Sequence, residues 1–150
     1  EPFAVSHDAA DPIGINVFSG NDKATVVTDT GIISDDILHR LDDSTLLVLE
    51  ANYDPHMLRF GPYQPFLKQR VASDEGHLSN EMAAQALLMM KRPDFMQVIL
   101  AHRSENNNNA VLVTQTIGKM LVDGGVRIGP EMKLQHGQPN EIVSMQSVKR

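Results

Sequence analysis

Cysteine is absent from the 150 residues. That excludes a disulfide framework and any thiolate zinc site. A metal would have to be held by His and carboxylates, a donor set that suits zinc, manganese or iron. No apolar run approaches the ~18 residues of a membrane span. A basic excess is missing too. The formal net charge is −6, so a generally basic nucleic-acid surface is not expected, although a local patch such as Lys68 with Arg70 can still touch phosphates. There is no P-loop, no Gly-x-Gly-x-x-Gly and no Gly-x-Ser-x-Gly elbow. Internal repeats and dividing linkers are absent, and the length suits one domain with a real core. No secretory signal is visible, and the first residue is Glu1 rather than Met, so the start reads as a trimmed or internal boundary. With no Cys, the expected location is cytoplasmic.

Three short apolar runs are present, and each ends in a residue that can bind a metal. Ala24 to Thr28 runs into Asp29, and Met96 to Ala101 runs into His102. Thr45 to Leu49 runs into Glu50, with Asn52 and Asp54 just beyond. Runs this short, unbroken by polar positions, read as strands buried on both faces of a parallel sheet. Ligands of open α/β sheets sit at the carboxyl ends of the strands. Asp29, the Glu50 to Asp54 segment and His102 are therefore expected in one crevice.

Around these runs the pattern predicts an α/β order. Pro2 to Pro12 is polar and turn-prone. Gly14 to Phe18 reads as a strand joined by a Ser19-Gly20-Asn21-Asp22 turn to an antiparallel neighbour. Ser34 caps a short helix with Ile37, Leu38 and Leu41 inside. Asn52 to Gly76, with three prolines, reads as a long irregular loop, partly helical, that packs as a lid or wall. Asn80 is the expected cap of a helix over Glu81 to Lys91, stopped by Pro93. The Asn106 to Asn109 run caps a helix from Ala110 to Val122, which ends at Gly124-Gly125. Val126 to Ile128, Met132 to Leu134 and Ile142 to Met145 read as terminal strands.

Each candidate has an ordinary reading beside the functional one. Asp29 in Thr-Asp-Thr-Gly is equally a turn former and a ligand, and its two oxygens suit it to bridging two cations. A strand-end His102 is a better ligand candidate than an average His, with helix capping the alternative. His7, in a polar loop, gains weight only beside Asp29 and His102. Asn52 and Asp54 are support or wall behind the ligands. The Ser73 to Asn80 segment precedes a helix N-terminus, where His77, Ser79 and Asn80 can offer donors to a phosphate or simply cap the helix.

Taken together, Ser-His-Asp-Ala-Ala-Asp-Pro (6–12), Thr-Asp-Thr-Gly (28–31), Leu-Glu-Ala-Asn-Tyr-Asp (49–54), Leu-Lys-Gln-Arg-Val (67–71), Ser-Asp-Glu-Gly-His-Leu-Ser-Asn (73–80) and Ala-His-Arg-Ser-Glu-Asn-Asn (101–107) stand in a familiar order. On these segments the sequence resembles the C-terminal half of metallo-β-lactamase-fold hydrolases of the YycJ/WalJ type, an exonuclease-like branch. The resemblance implies half of an αββα sandwich: a mixed sheet with helices on one face. It implies His7 on the first metal, Asp29 bridging both and His102 on the second, with Asp29 and His102 as the catalytic pair. Two divalent ions, zinc or manganese, would then activate water for attack on a phosphodiester of nucleic acid. His77, Ser79, Asn80, Lys68 and Arg70 are the expected substrate or phosphate contacts. Tyr53 stands where the family tends to carry His.

The family's His-x-His-x-Asp-His signature is not among these residues. Three ligands split over two positions should bind metal poorly, so the chain reads as part of a larger protein. The uncovered sheet face is expected to meet the missing N-terminal half or a second copy. A non-catalytic binding or regulatory module, or a hydrolase of small phosphodiesters or esters, is the competing expectation.

Overall fold

Gly20 and Asn21 make the tightest connection in the chain. Ser19 pairs directly with Asp22, so only these two residues turn the corner. Gly20, at φ 58°, supplies the left-handed conformation that a two-residue hairpin of this kind requires at its first position. The strands so joined are β2 (Ile13–Ser19) and β3 (Asp22–Val27). The computed structural model describes residues 1–144.

Among the described residues, six strands form one sheet in sequence order. β1 (Pro2–Ala4) and β2 are antiparallel neighbours, as are β2 and β3. From β3 the sheet turns parallel, through β4 (Leu46–Glu50), β5 (Met96–Ala101) and β6 (Met132–His136). Each parallel step needs a crossover, and helices supply it. α1 (Asp35–Leu41) links β3 to β4, and α5 (Ala110–Asp123) links β5 to β6. Between β4 and β5 lie α2 (Pro55–Phe60), α3 (Pro65–Val71) and α4 (Asn80–Met89).

The core lies between the sheet and three of these helices. Val27, Leu47, Leu49, Val98 and Leu100 bury against Ile37 and Leu41 of α1, Ala83 and Leu87 of α4, and Val113, Ile117 and Leu121 of α5. α2 and α3 have a smaller cluster of their own, built on Tyr53, Leu58 and Val71. Among the described residues, no helix lies on the opposite sheet face. Register places Ile15 beside Val26 and Val26 beside Val48 on that face. Ile13, Ile15, Val17 and Val26 there are 40–56% exposed. This is the mixed sheet with helices on one face that half of an αββα sandwich requires.

Several expectations need correction. The β3 run is buried on one face only, because nothing covers the other. The turn-prone N-terminus contains β1, held by Phe3 in the core. The Asn52 to Gly76 stretch is largely helical. Pro55 and Pro65 stand in the first turns of α2 and α3, where the missing N–H costs nothing. The cap of α4 is Ser79, whose Oγ accepts the Met82 N–H, and the helix stops at Met89 rather than Lys91. Val126 to Ile128 is not a strand, apart from a single bridge from Ile128 to Met132. Ile142 to Ser144 are not a strand either, and Met145 lies outside the described residues.

The two faces should respond differently to truncation. Leu49→Ala is expected to cost about 2–5 kcal/mol in urea unfolding of the 150-residue chain. Ile13→Ala, on the open face, should stay within about 0.5 kcal/mol of wild type. Equal losses would mean the open face is packed.

Candidate metal centre

Glu50 ends β4 with no exposed surface, yet it is a carboxylate. Its Oε1 accepts the Nδ1–H of His77 and the Nδ1–H of His102, each at 2.7 Å. Its Oε2 accepts the backbone N–H of Thr30 at 3.1 Å. Burial pushes the carboxyl upward, but the hydrogen bonds from His102 and His77 and the Thr30 N–H outweigh it and hold the group below the ordinary range. In return, the hydrogen bond to Glu50 raises His102, against the opposing effect of its partial burial.

Donation from Nδ1 fixes the tautomer of both rings. A carboxylate held ionised only accepts, so each neutral imidazole carries its proton at Nδ1 and its lone pair at Nε2. His7 is tethered in the same way. Its Nδ1 lies 3.0 Å from the carbonyl oxygen of Gly76, which can only accept. All three histidines therefore keep Nε2 free for a cation, the arrangement that metal-ligating histidines adopt. His7 Nε2 is 3.8 Å from Asp29 Oδ1, and His102 Nε2 is 3.5 Å from the same oxygen. Asp29 stands between the two. His77 fills the gap behind, with ring centroids 5.1 Å from His7 and 5.2 Å from His102. Donor atoms of His7, Asp29 and His77 lie within 4.8 Å of one another. Imidazole nitrogen and carboxylate oxygen in this spacing fit a divalent cation of the zinc or manganese kind.

Backbone wiring holds the set. In Thr-Asp-Thr-Gly, Thr30 does the tying: Ser6 N–H donates to its Oγ1, and Gly31 N–H donates to the Ser6 carbonyl. Those bonds bring the His7 loop to the end of β3. Asn52 Nδ2 donates to the His102 carbonyl at 2.8 Å, and Ser104 N–H donates to the Asn52 carbonyl. Asp29 and His102 both adopt left-handed backbone conformations, at φ 56° and 51°. Gly76 admits the end of α3: a Cβ there would press on the Arg70 and Val71 carbonyls.

A cavity of about 480 Å³ opens over these groups. His7, Asp29, Asn52, Arg70, His77 and His102 line it, as expected from the sequence. The other candidates do not. Ser79 is occupied as the α4 cap, and Asn80 is fully buried in a reciprocal amide pair with Asn108. Neither reaches the cavity as an anion site. Asp54 caps α2 by accepting the Met57 N–H. Lys68 Nζ donates to the Arg59 carbonyl, outside the cavity lining. Arg70 lines the cavity but is paired with Asp8. His77 is not a neutral phosphate donor at Nε2, since its proton sits on Nδ1 facing Glu50. Tyr53 is a core residue.

Glu50 is at the crevice with Asp29 and His102, as its place at the end of an apolar run predicts, but its acceptance from two distant histidines has no signal in the sequence. Arg103 lines the cavity beside His102, and its Nη1 is buried without a hydrogen-bond partner.

No protein-family model matches the chain. It is 34% identical over 148 residues to "Exodeoxyribonuclease YycJ" of Bacillus anthracis, covering 99% of this chain and 56% of that protein. It is 34% identical over 140 residues to "Exodeoxyribonuclease WalJ" of Streptococcus pneumoniae serotype 2, covering 93% of this chain and 52% of that protein. Over nearly its whole length the chain is thus similar to the YycJ/WalJ proteins. It spans about half the length of these curated relatives.

Glu50 and His102 also set a pH dependence for the metal-free protein. The lowered Glu50 stabilises the fold above its ordinary value, and this is lost as pH falls through the folded value. The raised His102 stabilises it below its ordinary value, and this is lost as pH rises through the folded value. Both are fully present between about 4.3 and 6.5, the ordinary values of Glu and His. The urea midpoint with EDTA present should peak in that window and fall on both sides. Glu50→Gln should lower the midpoint and flatten both limbs, and an unchanged profile in that variant would refute the pairing.

Proposed function

We propose that this chain carries part of the catalytic centre of a metal-dependent hydrolase acting on phosphodiesters of DNA or RNA. One observation carries the reading: histidines tethered at Nδ1 leave Nε2 free around the Asp29 carboxylate at the ends of parallel strands. The names of the relatives, both exodeoxyribonucleases, support nucleic acid as the substrate.

His7 with Asp29 would hold one divalent cation, and His102 with Asp29 a second. Cations there supply Lewis acidity toward water and phosphoryl oxygens. Glu50 orients His77 and His102 and keeps their protons on Nδ1. Asn52 fixes the His102 backbone. His77 Nε2 is free to take and return a proton in the same cavity. Arg103, which lines the cavity beside His102, brings a cationic side chain toward a bound phosphate. A tetrahedral zinc site takes four ligands, more than each half of this set offers. The remaining donors come from the rest of the protein, which packs on the open apolar sheet face in preference to a second copy.

Metal content and DNA hydrolysis of the full-length protein test this. A chelator should abolish hydrolysis, and Mn²⁺ or Zn²⁺ should restore it. His7→Ala, Asp29→Ala and His102→Ala should each lose metal and activity. Glu50→Gln should cost about 10–100-fold in metal affinity or activity. Arg103→Ala should lower kcat/KM on DNA by about ten- to hundredfold, equivalent to ~1.5–3 kcal/mol. Unchanged metal and activity in all three alanine variants would reject the site. Metal bound without cleavage of DNA or a chromogenic diester would leave a binding module, and cleavage of the diester alone would point to small esters.

A further inference from the structure

From Pro55 to Ser73 the chain carries no acidic residue, and its charged side chains are Arg59, Lys68 and Arg70. This cationic stretch stands out in a protein of net charge −6. It is the α2–α3 pair, and two large aromatic side chains project from it. Phe60, which closes α2, is 67% exposed, and Phe66, in the first turn of α3, is 72% exposed. Neither belongs to the Tyr53, Leu58 and Val71 cluster beneath the pair. The His56 ring leans on Phe60 with centroids 4.6 Å apart, and the Arg59 guanidinium lies 5.3 Å from the same ring centroid. The platform is anchored. Lys68 Nζ ties α3 to the Arg59 carbonyl, and the Asp54 N–H ties the start of α2 to the Asn107 carbonyl.

α3 and the turn before it also wall the cavity. Tyr63, Leu67, Arg70 and Val71 line it, and the Tyr63 hydroxyl accepts from Asn106 Nδ2 on the opposite rim. Phe66 is thus carried by the same helix as three of the cavity's lining residues, and Phe60 closes the helix just before it. The chemistry of this helical pair differs from that of the open sheet face, where Ile13, Ile15, Val17 and Val26 form an uncharged apolar strip suited to a protein layer. Exposed rings interleaved with cations suit a polyanion with flat faces. Base–aromatic stacking needs no sequence match, and the flanking cations follow the phosphates.

We propose that Phe60 and Phe66 form a stacking platform for unpaired bases, with Arg59 and Lys68 on the phosphates, and that it leads a single nucleic-acid strand into the cavity. The proposal rests on reading the cavity as a phosphodiesterase site and adds the form of substrate it takes.

Fluorescence anisotropy of the full-length protein in EDTA tests it without cleavage. The probes are a labelled oligothymidylate and a strand of equal length built from abasic spacers. Phe60→Ala and Phe66→Ala should each weaken oligothymidylate binding about five- to hundredfold and leave abasic binding unchanged. Phe60→Tyr should retain binding. Arg59→Ala and Lys68→Ala should weaken both strands alike and flatten the log–log salt dependence by about 0.7 per lost contact. Wild-type binding by both Phe variants would overturn the proposal, as would equal losses on both strands. So would a wild-type dimer that dissociates in the Phe variants, since the rings would then be an interface between copies. Should wild type bind as described yet cleave neither DNA nor a chromogenic diester with added Mn²⁺ or Zn²⁺, the phosphodiesterase reading fails and the platform stands.

Discussion

One buried carboxylate oxygen organises this protein's chemistry. Glu50 Oε1 accepts from two imidazoles that lie 27 and 52 residues further along the chain. A buried, ionised carboxylate is tolerated only when its lone pairs are filled. Here His77, His102 and the Thr30 N–H fill them. That requirement draws the end of β3, the segment before α4 and the end of β5 to one point. The position of Asp29, the tautomers of both rings and the shape of the cavity all follow from it. Breaking it would leave a charge in the protein interior, so the site and the fold share a single weak point.

Much of this was legible in the sequence because local signals were unambiguous. The β2–β3 turn, the Ser34 cap and the Met96–Ala101 strand each rest on short-range chemistry, and each is found where expected. Asp29 and His102 come together because parallel strands deliver their terminal residues to one edge, and His7 joins them through the Thr30 and Gly31 bonds to Ser6. What was misread required tertiary knowledge. Pro55 and Pro65 looked like loop markers, and proline at the start of a helix gives the same local pattern. Ser79 and Asn80 looked like anion donors, but one is used by the Met82 N–H and the other by Asn108. The role of Glu50 as the common acceptor is not legible locally, since its histidine partners lie far away in sequence. Arg103 carried no signal at all beyond its place next to His102.

The two sides of the sheet divide the labour. One side is a conventional core of Leu, Val and Ala against α1, α4 and α5. The other is apolar and bare. Glu50 has the same strand parity as Leu46 and Val48, so the carboxylate belongs to the bare side. The candidate centre thus stands at the edge of the bare face, where Glu50 points away from the helical core. The α2–α3 excursion is independent of both, with a cluster of its own over the strand ends. It can vary without disturbing the sheet.

Asp29 and His102 hold left-handed backbone angles that non-glycine residues adopt at a cost of about 1–3 kcal/mol each. Asp and His visit this region more readily than most residues, but the cost remains. The angles are imposed by bonds that exist only after β3, β4 and β5 have paired, such as the grip of Asn52 on the His102 carbonyl. The cation-facing atoms therefore come into place at the end of assembly, and an unfolded chain holds no template for them. Under the proposed reading, a cation would act as a latch: it would reward only chains that have closed correctly, with a contribution growing with free metal as RT ln(1 + [L]/Kd).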